Sequence, residues 1–410
     1  MTLPARAARN ARNARGFSLV ELMVALALGL LLTIAMATVY LSSKTAFSRQ
    51  QQLSSLQQSV RIAFEYLSGD ARMVGHMGCY TGLPTLATTE FNTALAAGGV
   101  ATNYAIGVEG YEYKNTTAGA FTLGSNAPAD VTTASNWEIN VSTNGITTIP
   151  VASIAGVGNG LTPGSDVLVI RTVSGRPVRL AANANTGANQ STFTIETAAA
   201  SSGKCGDGTT GKVSGFCANS HGLIASCSRA RVFQVNSITA GASPAPSTLA
   251  LSASMGGDPE YKPEEAEVFP LQTIAYYVKK SSSGTTTSLY RRIFDDDNAN
   301  GLEQELIEGV ENLQVRYGID TTAPDADGIV DKYVEAKGAT AADSVADWNK
   351  VVAVRMGLLI RSTIAVEPDV AVGTTGVVNG VTVTYPAAGS KYDRRVFTTT
   401  VAVRNRISYF

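Results

Sequence analysis

From Phe17 to Leu41 the chain runs for 25 residues with one charge, Glu21, no proline and one glycine, Gly29. At about 1.5 Å rise per residue this is a helix of about 37 Å, enough to cross a hydrocarbon core of about 30 Å with some tilt. Such a run limits the architecture to a tethered one. Residues 1–16 form a short basic leader, and everything after Leu41 belongs to a domain that the helix holds at a membrane.

An acid inside a membrane helix is costly, by about 2.5–3.5 kcal/mol at the centre and less near an interface, so Glu21 is a functional candidate. An ordinary secretory leader has its small-residue cleavage site after the apolar core; here the small residue, Gly16, precedes it. Cutting after Gly16 would strip the leader, keep the apolar helix and leave a new amino group on Phe17. The leader's four arginines, Arg6, Arg9, Arg12 and Arg15, are a positive-inside signal that holds the N-terminus in the cytoplasm and sends the rest outward.

Beyond Leu41, Leu53, Leu56, Val60, Ala63, Leu67, Ala71 and Val74 recur at steps of three or four and share one helical face. Gln50, Gln51, Gln52, Gln57, Gln58 and Arg61 are assigned to the other. One helix is therefore expected from Phe17 to about Met73, apolar over 17–41 and amphipathic over 42–74, with Gly75, Gly78 and Cys79 ending it. Residues 75–161 are rich in Ala, Thr, Gly and Asn and form a loop-rich variable region holding short strand candidates at Ala105–Tyr113 and Trp137–Val141.

Residues 162–410 carry strong strand signals. Asp166–Arg171 is a short apolar run of the fully buried kind, while Thr192–Thr197 and Arg231–Val235 alternate as half-buried strands do. Leu271–Lys279, Ser288–Phe294, Val310–Tyr317, Val351–Arg361, Val377–Tyr385 and Arg395–Arg404 follow, separated by turn residues, with a short helix expected over Ala341–Asn349. A helix followed by many strands implies an α+β fold: the long helix laid on a mostly antiparallel sheet with loop-rich insertions.

Without its leader the chain carries 28 basic and 33 acidic side chains, a formal charge of −5. The basic residues are scattered, so no nucleic-acid surface is expected. An outward-facing domain gives its four cysteines, Cys79, Cys205, Cys217 and Cys227, an oxidising compartment. Of the three connectivities open to two disulfides we expect Cys205–Cys217, closing the Gly-rich loop 206–215, and Cys79–Cys227, tying the helix end to the sheet. The zinc alternative, Cys205, Cys217, His221 and Cys227, has spacings that match no familiar site.

Two acidic loops have the composition of calcium sites. Asp296, Asn298 and Asn300 precede Gly301 as in the first half of an EF-hand, but Ile307 stands where the bidentate Glu belongs. Asp320, Asp325, Asp327 and Asp331 surround Gly328; a solvated turn is the expectation, with calcium the alternative. No other metal and no cofactor are expected. Two histidines, His76 and His221, no Gly-x-Ser-x-Gly elbow and no phosphate-binding loop leave nothing to run catalysis, so the chain is read as a non-enzyme. Gly156–Gly160 lacks the dinucleotide spacing, and His76 is assigned to the helix C-terminus, where the dipole favours a cation.

The run Gly16-Phe17-Ser18-Leu19-Val20-Glu21-Leu22 resembles the class III signal of type IV prepilins. Residues 309–320 (GVENLQVRYGID), 351–362 (VVAVRMGLLIRS) and 394–406 (RRVFTTTVAVRNR) are similar to segments of PilW-type minor pilins, and Gly78-Cys79 and Ser226-Cys227-Ser228 sit where that family often has cysteines. The resemblance implies cleavage between Gly16 and Phe17 by a prepilin peptidase, N-methylation of Phe17 and a role for Glu21 in docking. It further implies a minor pilin that helps prime type IV pilus assembly through helix 17–41, with other minor pilins and the major pilin as partners. Such a subunit waits in the inner membrane with its C-terminal domain in the periplasm, then enters the fibre near the tip, serving twitching motility, adhesion or DNA uptake. The alternatives are a minor pseudopilin of a type II secretion system, which shares the leader and helix, and a membrane-anchored adhesin whose variable region faces the ligand.

Overall fold

A computed structural model of the chain describes residues 16, 18–80, 91–93, 102–113, 120–123, 137–139, 161–187, 190–197, 203–205, 210–242, 244–256, 259–284, 286–294, 302–322, 327–362, 375–385 and 392–406. One helix runs from Leu19 to Arg72, 54 residues without a break. Its first half stands clear of the domain and its second half lies on it, burying Leu56, Val60, Ala63, Leu67 and Ala71. The stripe read from the sequence is thus correct from Leu56 onward. Its first position is not: Gln52 faces the core and Leu53 is only half-buried.

Arg72 ends the helix, and Gly75 and Gly78, both at positive φ, turn the chain away. Gly78 is required twice over, since a Cβ there would lie 2.8 Å from the Phe269 ring as well as straining a φ of +68°. The Gly75 amide then donates to the Arg171 carbonyl and the Thr172 hydroxyl to the Met73 carbonyl, fastening the helix end to strand Val167–Val173.

The strands form two principal sheets. In the larger, Glu267–Lys280 is the spine. Its first residues pair with His221–Ala225, and beyond them lie Ala230–Thr239, Ser247–Leu251 and Thr192–Ile195. Its later residues pair with Val167–Val173 on one side and Thr287–Phe294 on the other. Leu302–Glu308 borders the latter, and Val108–Tyr113 borders the former. The smaller sheet runs Lys332–Val334, Val310–Ile319, Val351–Arg361, Arg394–Ala402, all antiparallel. Two pairings, Phe91–Thr93 with Ala230–Val232 and Ala120–Thr122 with Thr382–Thr384, are parallel. The helix lies across strands 302–308, 351–361 and 394–402, so one core joins it to both sheets, as an α+β fold requires.

Several expectations are corrected. Val377–Tyr385 is not one strand but a hairpin, Thr375–Val378 and Val381–Thr384, turning at Asn379 and Gly380, both at positive φ; the Asn-Gly pair is itself a hairpin signal. Ala341–Asn349 is two 3-10 turns, Ala341–Asp343 and Trp348–Lys350, because Val345 donates to the Glu335 carbonyl and holds the chain extended between them. Arg231–Val235 does not alternate in burial: Arg231 is itself 4% exposed and donates to the Ser254 carbonyl. His221–Ala225, Ser247–Leu251 and Leu302–Glu308 are strands that no sequence signal had marked. The glycine loop at 156–160 and the acidic loop at 296–300 lie outside the described residues.

Candidate functional site: the exposed helix half and its anchorage

Leu19 is 73% exposed and Leu41 58%, and the Leu, Val, Ile and Met residues between them are more than half exposed. The most apolar 18-residue window has a mean hydropathy of 2.5 and none of it is buried, so this is one helix long and apolar enough to cross a membrane. Four hydroxyls along it are satisfied internally: Thr33 donates to the Gly29 carbonyl, Thr38 to Ala35, Ser42 to Val39 and Thr45 to Leu41. These four hydroxyls therefore need no water, which suits residence in lipid or in a dry helix bundle, and Glu21 is the charged group left on the apolar run.

Glu21 sits in the first turn, and its carboxylate accepts the Ser18 amide proton at 3.1 Å. Ser18-x-x-Glu21 is a capping-box pattern, a signal that the sequence itself carries. Gly16 has open space around it, as a protease substrate needs. Phe17 lies outside the described residues.

At the other end the helix is held by charge, amide and disulfide. Asp70 accepts from Arg291 and from the Tyr276 hydroxyl. Asn405 donates to the Arg72 carbonyl at 3.0 Å, so the C-terminal strand's exit covers the helix end. Cys79–Cys227 and Cys205–Cys217 are both formed, with Cα separations of 4.6 and 6.1 Å, which removes the thiolates a zinc site would use. Burial against the Phe269 ring lowers the pKa of His76, opposed by the charge of Glu267, so the cation expected at this helix end is disfavoured.

The acidic loop spends its carboxylates on backbone. Asp320, 2% exposed, accepts from the Thr322 and Gly328 amides, and Asp327 from the Ile329 amide. Asp331 accepts from the Thr321 hydroxyl and amide, which hold it below the usual carboxylate range. Asp325 lies outside the described residues. Among the described residues no group of three or more potential metal ligands is assembled.

A different acid pair, unmarked by any sequence pattern, occupies the seam between the two sheets. Asp166 is buried and accepts from the Val315 amide; Glu112 is buried and accepts from the Ala336 amide. Asn312 and Gln314 both donate to the Gly164 carbonyl beside them. Burial raises Asp166 to about 7, with Glu112 and the amides pulling down, and burial with the neighbouring Asp166 raises Glu112 well above its ordinary value.

Residues 275–405 match the family model described as Type IV Pilus-assembly protein W, and residues 11–37 match the one described as Prokaryotic N-terminal methylation motif. The first covers the whole smaller sheet and the strands under the helix; the second covers the Gly16 junction and most of the exposed run. No curated protein matches, and no solved structure does. The two matches agree with the PilW-type resemblance of the sequence and support a type IV pilus-related pilin, a family that is not enzymatic.

Proposed function

We propose that this type IV pilus-related pilin is a minor subunit that primes pilus assembly. A prepilin peptidase would cut between Gly16 and Phe17 and Phe17 would be N-methylated. The subunit would then wait in the inner membrane with its domain in the periplasm before entering the fibre near its tip. The observation that carries this is a continuous apolar helix half, Leu19 to Leu41, fully exposed on a domain that firmly holds the other half. Outside lipid each such Leu, Val or Ile is worth about 1.5–3 kcal/mol when covered, so the half-helix is insoluble alone and cohesive in a bundle of its own kind. Once in that bundle Glu21 needs a cationic partner, and the amino group on Phe17 of an adjacent subunit has the right charge. Twitching, attachment or DNA uptake would follow from the fibre.

Mass spectrometry of the purified protein tests the processing: loss of residues 1–16 and one methyl group on Phe17 are expected, and an intact leader rules the assignment out. Gene deletion tests the role. Loss of all surface pili fits priming, whereas intact pili with lost attachment would move the function to adhesion.

A further inference from the structure

Strand Arg394–Ala402 is the outermost strand of the smaller sheet, bonded to Val351–Arg361 on one side only. The Ser362 amide donates to the Asp393 carbonyl and the Val403 amide to the Val352 carbonyl, which fixes the alternation between them. Odd-numbered residues from 393 to 403 bond inward, while the amides and carbonyls of Val396, Thr398, Thr400 and Ala402 point away from the sheet. None of these outward groups has a partner among the described residues. The edge is also undefended: its nine register pairs run without a bulge, and Val396 to Ala402 contains no charge, proline or glycine. Other edge strands are blunted. Leu302–Glu308 carries three glutamates and a break in register, and Thr192–Ile195 and Lys332–Val334 are only four and three residues long.

We propose that this edge accepts an extended segment of a different pilin subunit as an added strand, an inference that rests on the pilin assignment above. Donors and acceptors at alternate residues over about 20 Å are matched by another backbone in the β conformation, not by a helix, an ion or a lipid. The direction of the strand selects a subunit standing beside this one. It starts at the neck, where Ser362 lies with Gln52 and Ser55, and leads to Asn405, which donates to the Arg72 carbonyl at the helix end. The edge thus runs along the buried length of the helix, and its free amides point sideways from the helix axis. A subunit whose own helix packs along residues 19–41 arrives from the side. Two copies of this chain in one membrane point the same way, so they do not form the antiparallel twofold edge pair of a self-dimer. With Thr398 and Thr400 exposed on it, the edge suits an uncharged, β-branched segment.

The test uses the full chain in cells that make pili. Thr398→Pro deletes one outward amide proton and leaves the bonds to strand 351–361 in place, whereas Thr398→Val keeps that proton. Each variant is scored by the melting temperature of the detergent-extracted subunit and by the pilus-to-membrane ratio after shearing. Both should melt within about 4 °C of wild type, while Thr398→Pro alone falls about fivefold in pili. Amide exchange of the wild-type chain gives a second reading that needs no substitution. Val396, Thr398, Thr400 and Ala402 should exchange fast in the extracted subunit and slowly in sheared pili. Equal exchange in the two, or incorporation of Thr398→Pro at the level of Thr398→Val, overturns the added strand and leaves the pilin assignment in place. Slowing that grows with the concentration of the extracted subunit alone shows pairing with a second copy, and overturns a different subunit as the occupant. Wild-type protein absent from sheared pili overturns both the strand and the assignment.

Discussion

Asp70 and Arg291 stand 221 residues apart in the chain and meet as a bidentate ion pair, Nε to Oδ2 at 2.8 Å and Nη2 to Oδ1 at 3.2 Å. The pair joins the last turns of the helix to the larger sheet. It is mostly out of solvent, with 13% of the arginine side chain and 19% of the aspartate exposed, and Tyr276 adds a hydroxyl to the same carboxylate. Removing one member leaves the other's charge and the tyrosine hydroxyl short of a partner. Asp70→Ala should therefore destabilise the domain by about 2–4 kcal/mol, read as a lower urea midpoint at unchanged slope. A loss within about 0.5 kcal/mol would show that the helix is held by its apolar face alone.

Glu112 and Asp166 make stability depend on pH in an unusual direction. Both acids have raised values in the folded state, so the native protein binds more protons than the unfolded chain. Their contribution is complete below the ordinary carboxylate range near pH 4 and is lost as pH rises through about 7, the folded-state value of Asp166. The groups around them do not reverse the sign: Glu335 is also raised by burial, although Arg316 pairs with it at 2.8 Å, and the buried Tyr317 is neutral. Glu112→Gln keeps an acceptor for Ala336 and supplies a permanent donor. It should gain about 1–3 kcal/mol at pH 8, little at pH 5, and flatten the profile between them in chemical denaturation. A variant equally weakened at both pH values would refute the assignment of this pH dependence to the raised values of the two acids.

The two disulfides differ in what they constrain. Cys79–Cys227 closes 148 residues of chain and Cys205–Cys217 only 12. By loop-closure entropy the first restrains the unfolded chain by about 5 kcal/mol and the second by about 3. Replacing Cys79 and Cys227 by Ala should thus lower the denaturation midpoint more than replacing Cys205 and Cys217. The first replacement should also loosen the cluster of Met77, Tyr104, Leu223 and Phe269 packed around it, seen as faster amide exchange there.

What could be read from the sequence followed periodicity and run length. The helix, the buried strand at 167–173 and the strands at 310–319 and 351–361 announce themselves through long apolar patterns, and the disulfide pairing agreed with the expected one. What could not be read depends on partners far away in the chain. Leu302–Glu308, with three acids in seven residues, is a strand because its glutamates reach Tyr277, Lys279 and Ser288 on neighbouring strands. Glu112 and Asp166 each look like a surface acid until the two sheets close over them. Gln52 reads as a wet-face residue in the sequence, because a glutamine in a run of three carries no signal that one of them points inward.

The acidic loop gives a test by titration. Asp320 and Asp331 are committed to amides at 2.6–3.0 Å, so calcium would have to break those bonds to bind. Millimolar calcium should leave the melting temperature unchanged within about 1 °C and produce no calorimetric heat. Asp320→Ala, which removes the acceptor for two amides around Gly328, should cost about 1–3 kcal/mol with or without the ion. Stabilisation by calcium that disappears in Asp320→Ala would establish a site instead.

Glu21 has two possible duties, and one substitution separates them. Its carboxylate accepts the Ser18 amide proton, a capping role in which charge is secondary. Docking to an amino group on a neighbouring subunit requires the negative charge itself. Glu21→Gln preserves an oxygen acceptor for Ser18 and abolishes the charge, whereas Glu21→Ala removes both. If charge is the determinant, both variants should insert in the membrane at wild-type levels, lose their leaders normally and fall about tenfold or more in pilus incorporation. If capping is the determinant, Glu21→Gln should assemble nearly as wild type and only Glu21→Ala should fail. Immunoblots of sheared pili against membrane fractions distinguish the two. We expect the first pattern, because the cap is worth only about 1 kcal/mol to a 54-residue helix, while an unpartnered acid in a dry bundle costs several.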